Sequence, residues 1–271
     1  MSTAVTVAAE EQARDQRIPF SVVRDTYAIM QRNLIGYRRV PQLLVFSTIQ
    51  PVIFVLMFRY VFGGAIQIPG PIAYVDFLMP GIFVQTVVFG AIATAIGLAT
   101  DVKTGLMERF HALPMARSAV LTGRTTADSA RNVFVVALMM IVGFLVGWRI
   151  HTNVLGLLAA AGLVLLFGFA MSWIFATVGL AVKDPETAQA AAFPVLAPLV
   201  FASSAFVSPE TMPDWLRAFA EHQPVSATAT AVRALTLGGP TADDVWAAIA
   251  WCVGIIVVFA PLAVRLYRRA V

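Results

Sequence analysis

DVKTGLMERFHALPMARSAVLTGRTTADSARN, residues 101–132, is the one long polar stretch lying between two long apolar ones. It holds five basic residues, Lys103, Arg109, Arg117, Arg124 and Arg131. Within it Leu106, Phe110 and Leu113 stand at i, i+4 and i+7, one apolar stripe on a short helix. Pro114 ends that helix, and Glu108, Arg109 and His111 fall on its other faces. Two readings fit this stretch taken alone: a solvated connecting loop, or a small amphipathic helix between two membrane spans.

The rest of the chain selects a membrane setting. Of 271 residues, 59% belong to the set AVILMFWYC and only 13% are charged, against about 25% charged in soluble domains. Six spans of about 20 residues with their connections fill this length and leave no room for a separate soluble domain. The formal charge of +4 and pI near 9.6 do not indicate nucleic acid, because the charges flank apolar segments, where Lys and Arg set orientation. Cys252 stands alone in an apolar run, which excludes a disulfide framework and a thiolate cluster and reads as a small buried residue.

Working outward, residues 1–19 are polar, contain no apolar signal-peptide core and are expected to be disordered. Phe20, Val23, Tyr27, Met30, Leu34 and Tyr37 then recur at spacings of three and four, with Arg24, Asp25, Arg32, Arg38 and Arg39 off the stripe. This predicts an amphipathic helix over 20–39, either lying on the membrane surface or packed against a neighbouring helix. Spans are predicted over about 41–62, 74–99, 133–148, 154–182, 185–206 and 246–267. Span 3 carries Gly143 and Gly147 as a GxxxG pair. Asp184 and Pro185 read as the N-cap and first turn of span 5, which Pro194 and Pro198 should kink or break. Backbone freed in that way is tolerated only where protein or a water-filled cavity satisfies it. Between spans 5 and 6, residues 213–221 and 225–237 read as two short external or re-entrant helices. The fold class is therefore all-α and integral to the membrane: six transmembrane helices, an N-terminal interfacial helix, a cytoplasmic helix in the central loop and short external helices.

Orientation follows from counting basic residues. Six arginines before span 1, the five in 101–132, Lys183 and the three at the C-terminus lie on one side, against Arg59, Arg149, Arg217 and Arg233 on the other. Both termini and the central loop are then cytoplasmic, in a plasma membrane.

Catalytic patterns are missing. Gly97 followed by Val102-Lys103-Thr104 falls one residue short of a phosphate-binding loop, since Val102 stands where glycine is required and the stretch ends a membrane helix. His111 falls inside and His151 and His222 outside, so the three histidines share no metal. No acidic residue is expected deep in a span, and Asp76 and Asp101 read as topological. What remains within the spans is uncharged: Phe46, Gln50 and Phe54 on one face of span 1, Gln85, Thr86 and Phe89 on span 2, and Ser203 with Ser204 on span 5. Such groups either join helices by hydrogen bonds or line a mostly apolar substrate pathway.

Several segments together resemble one family. The arginine-rich start closing on YRRVPQLL, then FRYVFGG, FLMPGIFVQ, GLMERFHALPMARSAVLTGRTTAD and HQPVSATATAVRALTLGGP resemble, in order and spacing, the membrane permease of bacterial ABC-2 (type V) exporters, above all the daunorubicin-resistance permease group. The resemblance implies a separate ABC ATPase in two copies, holding ATP and Mg²⁺ that this chain does not bind, and a second permease copy, identical or a sister. It implies export of an amphipathic drug or lipid. It also implies that Gly105, Leu106, Met107, Glu108, Arg109, Phe110, His111 and Leu113 form the coupling helix that docks on the ATPase. Substrate contacts vary in the family, so no residue inherits a substrate role. The other readings weighed are a stand-alone secondary transporter or channel, disfavoured by the absence of charges at depth, and an intramembrane enzyme, for which no nucleophile and base are visible.

Overall fold

Residues 154–182 are apolar on nearly every face, and a helix of that kind becomes a buried axis when other helices surround it. In the computed structural model, which describes residues 19–39, 41–64, 66, 72–108, 117–239 and 241–270, it does so. The helices are α1 (Pro19–Arg39), α2 (Pro41–Leu56, continued by a π-helical turn Met57–Val61), α3 (Tyr74–Gly90), α4 (Ile92–Lys103), α5 (Arg117–Val146), α6 (Val154–Val182), α7 (Pro185–Phe201), α8 (Asp214–His222), α9 (Pro224–Leu237) and α10 (Ala242–Ala270). Helix α6 packs against α3, α4, α5, α7, α9 and α10, burying Leu163, Val164, Phe167, Met171 and Phe175. Asn153 caps its start by accepting the Gly156 N–H at 2.8 Å.

Span 2 was expected as one helix over 74–99. It is two, meeting at Ala91, where the Thr94 N–H turns to the Ala91 carbonyl at 3.0 Å. Span 3 was expected to begin near Val133, yet α5 starts at Arg117, so much of the supposed loop is helix. The reason lies in its hydroxyls. Thr125 donates to Leu121 O at 3.1 Å, Thr126 to Thr122 O at 2.7 Å and Ser129 to Thr125 O at 2.9 Å. Residues that read as polar loop thus spend their polarity on their own helix, while Ala119, Leu121 and Ala127 are buried. Gly147, with φ +105°, ends α5 and meets nothing within 4 Å, so of the GxxxG pair only Gly143 serves a helix contact, against Met79 of α3.

Helix α1 packs along α5 with Ile29 buried, while Val23 and Tyr27 stay exposed. The packing reading therefore holds for one face, and Val23 and Tyr27 of the predicted apolar stripe are left uncovered. Residues 1–18, expected to be disordered, lie outside the described residues.

Asp184 caps α7 through the Thr187 N–H at 3.0 Å, with Pro185 in the first turn as predicted. Helix α7 contains Pro194 and Pro198 and stops at Phe201, short of the expected 206. The chain then runs non-helically through 202–208, with Ser203, Ser204, Ala205 and Phe206 buried. Helix α9 returns inside the bundle against α3, α6 and α10, while α8 leaves Trp215 and Phe219 exposed. Four helical stretches are long and apolar enough to cross a membrane: Tyr74–Lys103, Ala119–Val146, Val154–Val182 and Ala242–Arg269. Ser47–Val61 and α7 are apolar but shorter.

The irregular segment lies against α3 at Gly81, where a Cβ would stand 1.9 Å from the Ala205 carbonyl oxygen and 2.8 Å from its Cα. At Gly162, on α6, a Cβ would meet nothing within 4 Å. Gly81→Ala should therefore cost about 1–3 kcal/mol by overpacking and lower the melting temperature in detergent, whereas Gly162→Ala should leave it unchanged or slightly raised; equal melting of the two variants would refute this packing.

Candidate translocation cleft and coupling face

Three of the polar span residues singled out from sequence converge. Gln85 and Thr86 on α3 are buried and Gln50 on α2 is exposed, and all three line one cleft of about 120 Å³ together with Phe89. The cleft lies near mid-helix, since its lining from Gln85 to Ala93 runs from ~16 to ~28 Å along a unit of ~45 Å at 1.5 Å per residue. Its remaining polar wall comes from α5, as Arg131 and Asn132. Both were expected in the cytoplasmic loop and both are buried, at 7% and 2% exposure. Arg131 Nη2 donates to Gly90 O at 2.7 Å and to Asn132 Oδ1 at 3.3 Å. The first of these bonds takes up a carbonyl left over by the helix break at Ala91. Gln85 Oε1 and Asn132 Nδ2, both buried, have no hydrogen-bond partner among the described residues.

Phe54 does not join the cleft. It stacks with Phe58 at 6.0 Å and Phe206 at 6.2 Å between ring centroids, in an aromatic group where Phe58 and Phe206 are nearly parallel at 4.5 Å. The Phe46 side chain lies outside the described residues. Ser203 and Ser204 serve the break after α7. Ser203 Oγ donates to Val200 O at 2.6 Å and accepts the Ala205 N–H at 3.1 Å, and the Ser204 N–H donates to Ser226 Oγ at 2.9 Å. The buried non-helical backbone there is met by Gln223, whose Nε2 donates to Ala202 O at 2.9 Å, and above all by Arg233. Its Nη2 donates to Ser204 O at 2.5 Å and Ala205 O at 3.0 Å, its Nε to Phe77 O at 2.9 Å, and its Cζ lies 3.7 Å from the Phe77 ring centroid. Sequence counting took Arg233 for an orientation signal; it is an internal clamp.

A chain of charges runs below the cleft. Asp128, fully buried, accepts from Thr94 Oγ1 at 2.5 Å, with Arg124 Nε at 3.8 Å. Arg124 also approaches Asp101 at 3.5 Å and donates to Ala93 O at 3.3 Å, and Arg32 of α1 lies 3.7 Å from Asp101. The expectation of no acid within a span therefore fails at Asp128, because the supposed loop is helix α5. Gly97 belongs to this network: its missing Cβ makes room for the Arg124 guanidinium, a helix-packing role and no phosphate loop. Asp76, taken as topological, is buried and accepts the Arg149 N–H at 2.9 Å, which ties α3 to the turn after α5. The spacing of Arg124 and Asp128, i and i+4, was the one sequence signal for this network.

At the loop end, Gly105 turns with φ +68°. Met107 is 2% exposed and belongs to an apolar cluster with Leu98, Val120, Leu121, Trp173, Leu180 and Tyr267. It therefore faces the bundle and offers no surface to a partner, because the turn at Gly105 directs it inward. Leu106 is half-buried and Glu108 is exposed, while Arg109, Phe110, His111 and Leu113 lie outside the described residues. Lys103 Nζ donates to Asp184 Oδ1 at 2.7 Å, tying α4 to the cap of α7. The Asp184 carboxyl is held down at about 2, first by the Lys103 ammonium and then by the Thr187 N–H. Because its pKa is lowered, this tie is intact at every pH above the ordinary carboxylate range and is lost only as pH falls toward 2.

An all-helical bundle with four stretches long and apolar enough to cross a membrane and a polar cleft among them is the architecture of a multi-pass membrane protein. The chain belongs to the ABC-2 type transporter family, whose model matches residues 24–237. It is similar to the daunorubicin resistance ABC transporter permease protein DrrB1 of Streptomyces coeruleorubidus, 38% identical over 92% of this chain and 88% of that one. It is also similar to the probable doxorubicin resistance ABC transporter permease protein DrrC of Mycobacterium tuberculosis, 28% identical over 83% and 81%, and to the putative transport permease ycf38 of Cyanophora paradoxa, 24% identical over 80% and 75%.

The clamp is testable by a conservative change. Lysine keeps the charge of Arg233 but not the fork that reaches Phe77, Ser204 and Ala205 together. Arg233→Lys should cost about 2–3 kcal/mol and speed amide exchange across 202–206, whereas Arg217→Lys, at the exposed pair with Glu221 (2.6 Å), should do neither.

Proposed function

We propose that this chain is the transmembrane permease subunit of an ABC exporter, moving an amphipathic drug or lipid-like substrate out of the cell with ATP hydrolysed, with Mg²⁺, on a separate ATPase. The observation that carries this reading is the match to a daunorubicin resistance permease over 92% of the chain. In this reading there are six spans: α2 with its π turn, α3 with α4, α5, α6, α7 and α10. Helices α8 and α9 do not cross, and α1 lies at the inner surface with Val23 and Tyr27 toward lipid. Both termini are cytoplasmic in a bacterial inner membrane. Moving Arg124 and Arg131 from the loop into α5 weakens the charge asymmetry without reversing it, since the N-terminal arginines, Lys103, Arg109, Arg117, Lys183 and the C-terminal arginines remain on that side. The working assembly has two permease copies, identical or sister chains, and two ATPases.

Coupling runs through residues 105–113. Met107 seats the segment against α4, α5, α6 and α10, and Glu108, with Arg109, Phe110 and Leu113 beyond it, meets the ATPase groove. ATP-driven closure of the ATPases then tilts the bundle, a rigid-body transition. A stand-alone transporter is the competing reading, and the buried Asp128 and Arg131 remove one argument against it. Those groups are engaged in bonds to Thr94 and Gly90, and family membership now carries the preference.

Captured from membranes in which the ATPase is co-expressed, the wild-type chain should bring the ATPase with it. Phe110→Ala and Glu108→Arg should reach the membrane in normal amount but lose at least fivefold in ATPase capture and in efflux. Uphill transport by the permease alone in vesicles, or full activity of both variants, would overturn the reading.

A further inference from the structure

We propose that the cleft between α2, α3 and α5 binds a neutral hydroxyl group, an alcohol or polyol headgroup carried by an amphiphile, which donates hydrogen bonds to Gln85 and Thr86; this deepens the exporter reading above and rests on it. Charge narrows the class of ligand. Among the described lining residues there is no carboxylate, so an ammonium buried there would find no counter-ion on the cleft wall. The one lining cation, Arg131, is engaged by Gly90 O at 2.7 Å, by Asn132 Oδ1 at 3.3 Å and further within the fold. It is committed to structure and contributes nothing to the selectivity proposed. Asn132 is set aside as well, because its Nδ2 lies toward α6, 3.1 Å from where a Cβ on Gly168 would stand.

What α3 leaves unspent is acceptor capacity. Gln85 lines the cleft and is 2% exposed, and its Oε1 has no hydrogen-bond partner among the described residues. A buried acceptor in that condition costs stability and calls for an explanation, and the space for a missing donor adjoins it. Thr86, also buried in the wall, spends its proton on Ile82 O at 2.7 Å, so its Oγ1 has only lone pairs to offer. Two acceptors on one wall ask for a donor. A hydroxyl supplies it without a charge, whereas an ether or ester oxygen would set lone pairs against lone pairs.

Size and access fit a headgroup. A cavity of about 150 Å³ accommodates benzene, so about 120 Å³ takes a group of about five heavy atoms and not a whole drug or lipid. Gln50, exposed on α2 beside exposed Ile49 and Ile53, forms the mouth, and Pro51, Phe89 and Val135 supply the apolar lining. A tail would lie along the outer face of α2 while the hydroxyl enters.

The test uses the purified full chain in an amine-oxide detergent that carries no hydroxyl, titrated with oleyl alcohol, methyl oleyl ether or oleylamine and read by native mass spectrometry. The alcohol and the ether share tail and oxygen and differ in the donor. Oleyl alcohol should bind about fivefold more tightly than the ether, the factor that one net hydrogen bond gives, and more tightly than oleylamine. Gln85→Met keeps the length of the side chain and removes the amide. It should erase the preference for the alcohol while melting no lower than wild type, since a polar group without a partner is replaced by an apolar one. Thr86→Val, close in shape, should reduce the preference in part, and it keeps the test valid if the change at Gln85 impairs folding. Equal binding of alcohol and ether in wild type would mean that the cleft holds only water and overturns the proposal. Tighter binding of oleylamine than of the alcohol, or a preference undiminished in the folded variants, overturns it too. These measurements contain no ATPase, so failure of the exporter reading would show separately, as absence of ATPase capture with the alcohol preference intact.

Discussion

A carbonyl left unpaired in hydrocarbon costs several kcal/mol, and no water is present to relieve it. Among the described residues a helix breaks inside the apolar layer at Ala91 and after Phe201, and at each an arginine bonds a carbonyl. Arg131 and Arg124 from α5 take the carbonyls of Gly90 and Ala93; Arg233 from α9 takes those of Ser204, Ala205 and Phe77. A guanidinium suits this work because its donors radiate in one plane, and each can reach a different carbonyl while the charge is offset by several dipoles. The placing of α5 against α3 and α4, and of α9 against α3 and the irregular segment, follows from these bonds as much as from apolar packing.

The same fact explains what the sequence concealed. Apolar runs and caps were legible: α6, α10 and the Asp184-Pro185 start of α7 emerge where composition places them, whereas α7 runs on through Pro194 and Pro198 to Phe201. The first half of α5 was not, because Thr122, Thr125, Thr126 and Ser129 count as polar in any linear reading, while in the helix Thr125, Thr126 and Ser129 bond their own backbone. Charge counting assigned Arg124, Arg131 and Arg233 to water for the same reason, since a one-dimensional rule cannot see a broken helix elsewhere in need of donors. The cleft was half visible. Gln85, Thr86 and Phe89 share a face of α3 and Gln50 faces them, whereas Arg131 and Asn132 required knowing that α5 begins sixteen residues before Val133.

Helix α6 gives the bundle a shared axis, which bears on how motion at one end reaches the other. Met107 at the loop, Trp173 and Leu180 on α6 and Tyr267 on α10 form one apolar cluster. Lys103 binds the cap of α7, and Arg32 and Arg124 hold α1 and α5 to Asp101 at the end of α4. A push on residues 105–108 therefore acts on a packed block and not on a slack loop, and packed blocks move as rigid bodies between discrete arrangements. In the proposed exporter this makes the ATPase end stiff, while the breaks at Ala91 and 202–208 are where the spans change direction.

Placing the cleft beside a break is then a consequence of geometry. A continuous α3–α4 helix would keep Gly90 O in its own ladder and would ask for no arginine in the bilayer, where a charge near the midplane costs about 2.5–3.5 kcal/mol on insertion scales. Once the turn at Ala91 frees that carbonyl, Arg131 offsets part of its own cost by bonding it. The bond also fixes Asn132, and together they make one polar wall of the cleft that Gln85 and Thr86 also line. One irregular turn thus supplies the carbonyl that engages the charge, and the polar cleft lies directly beside it.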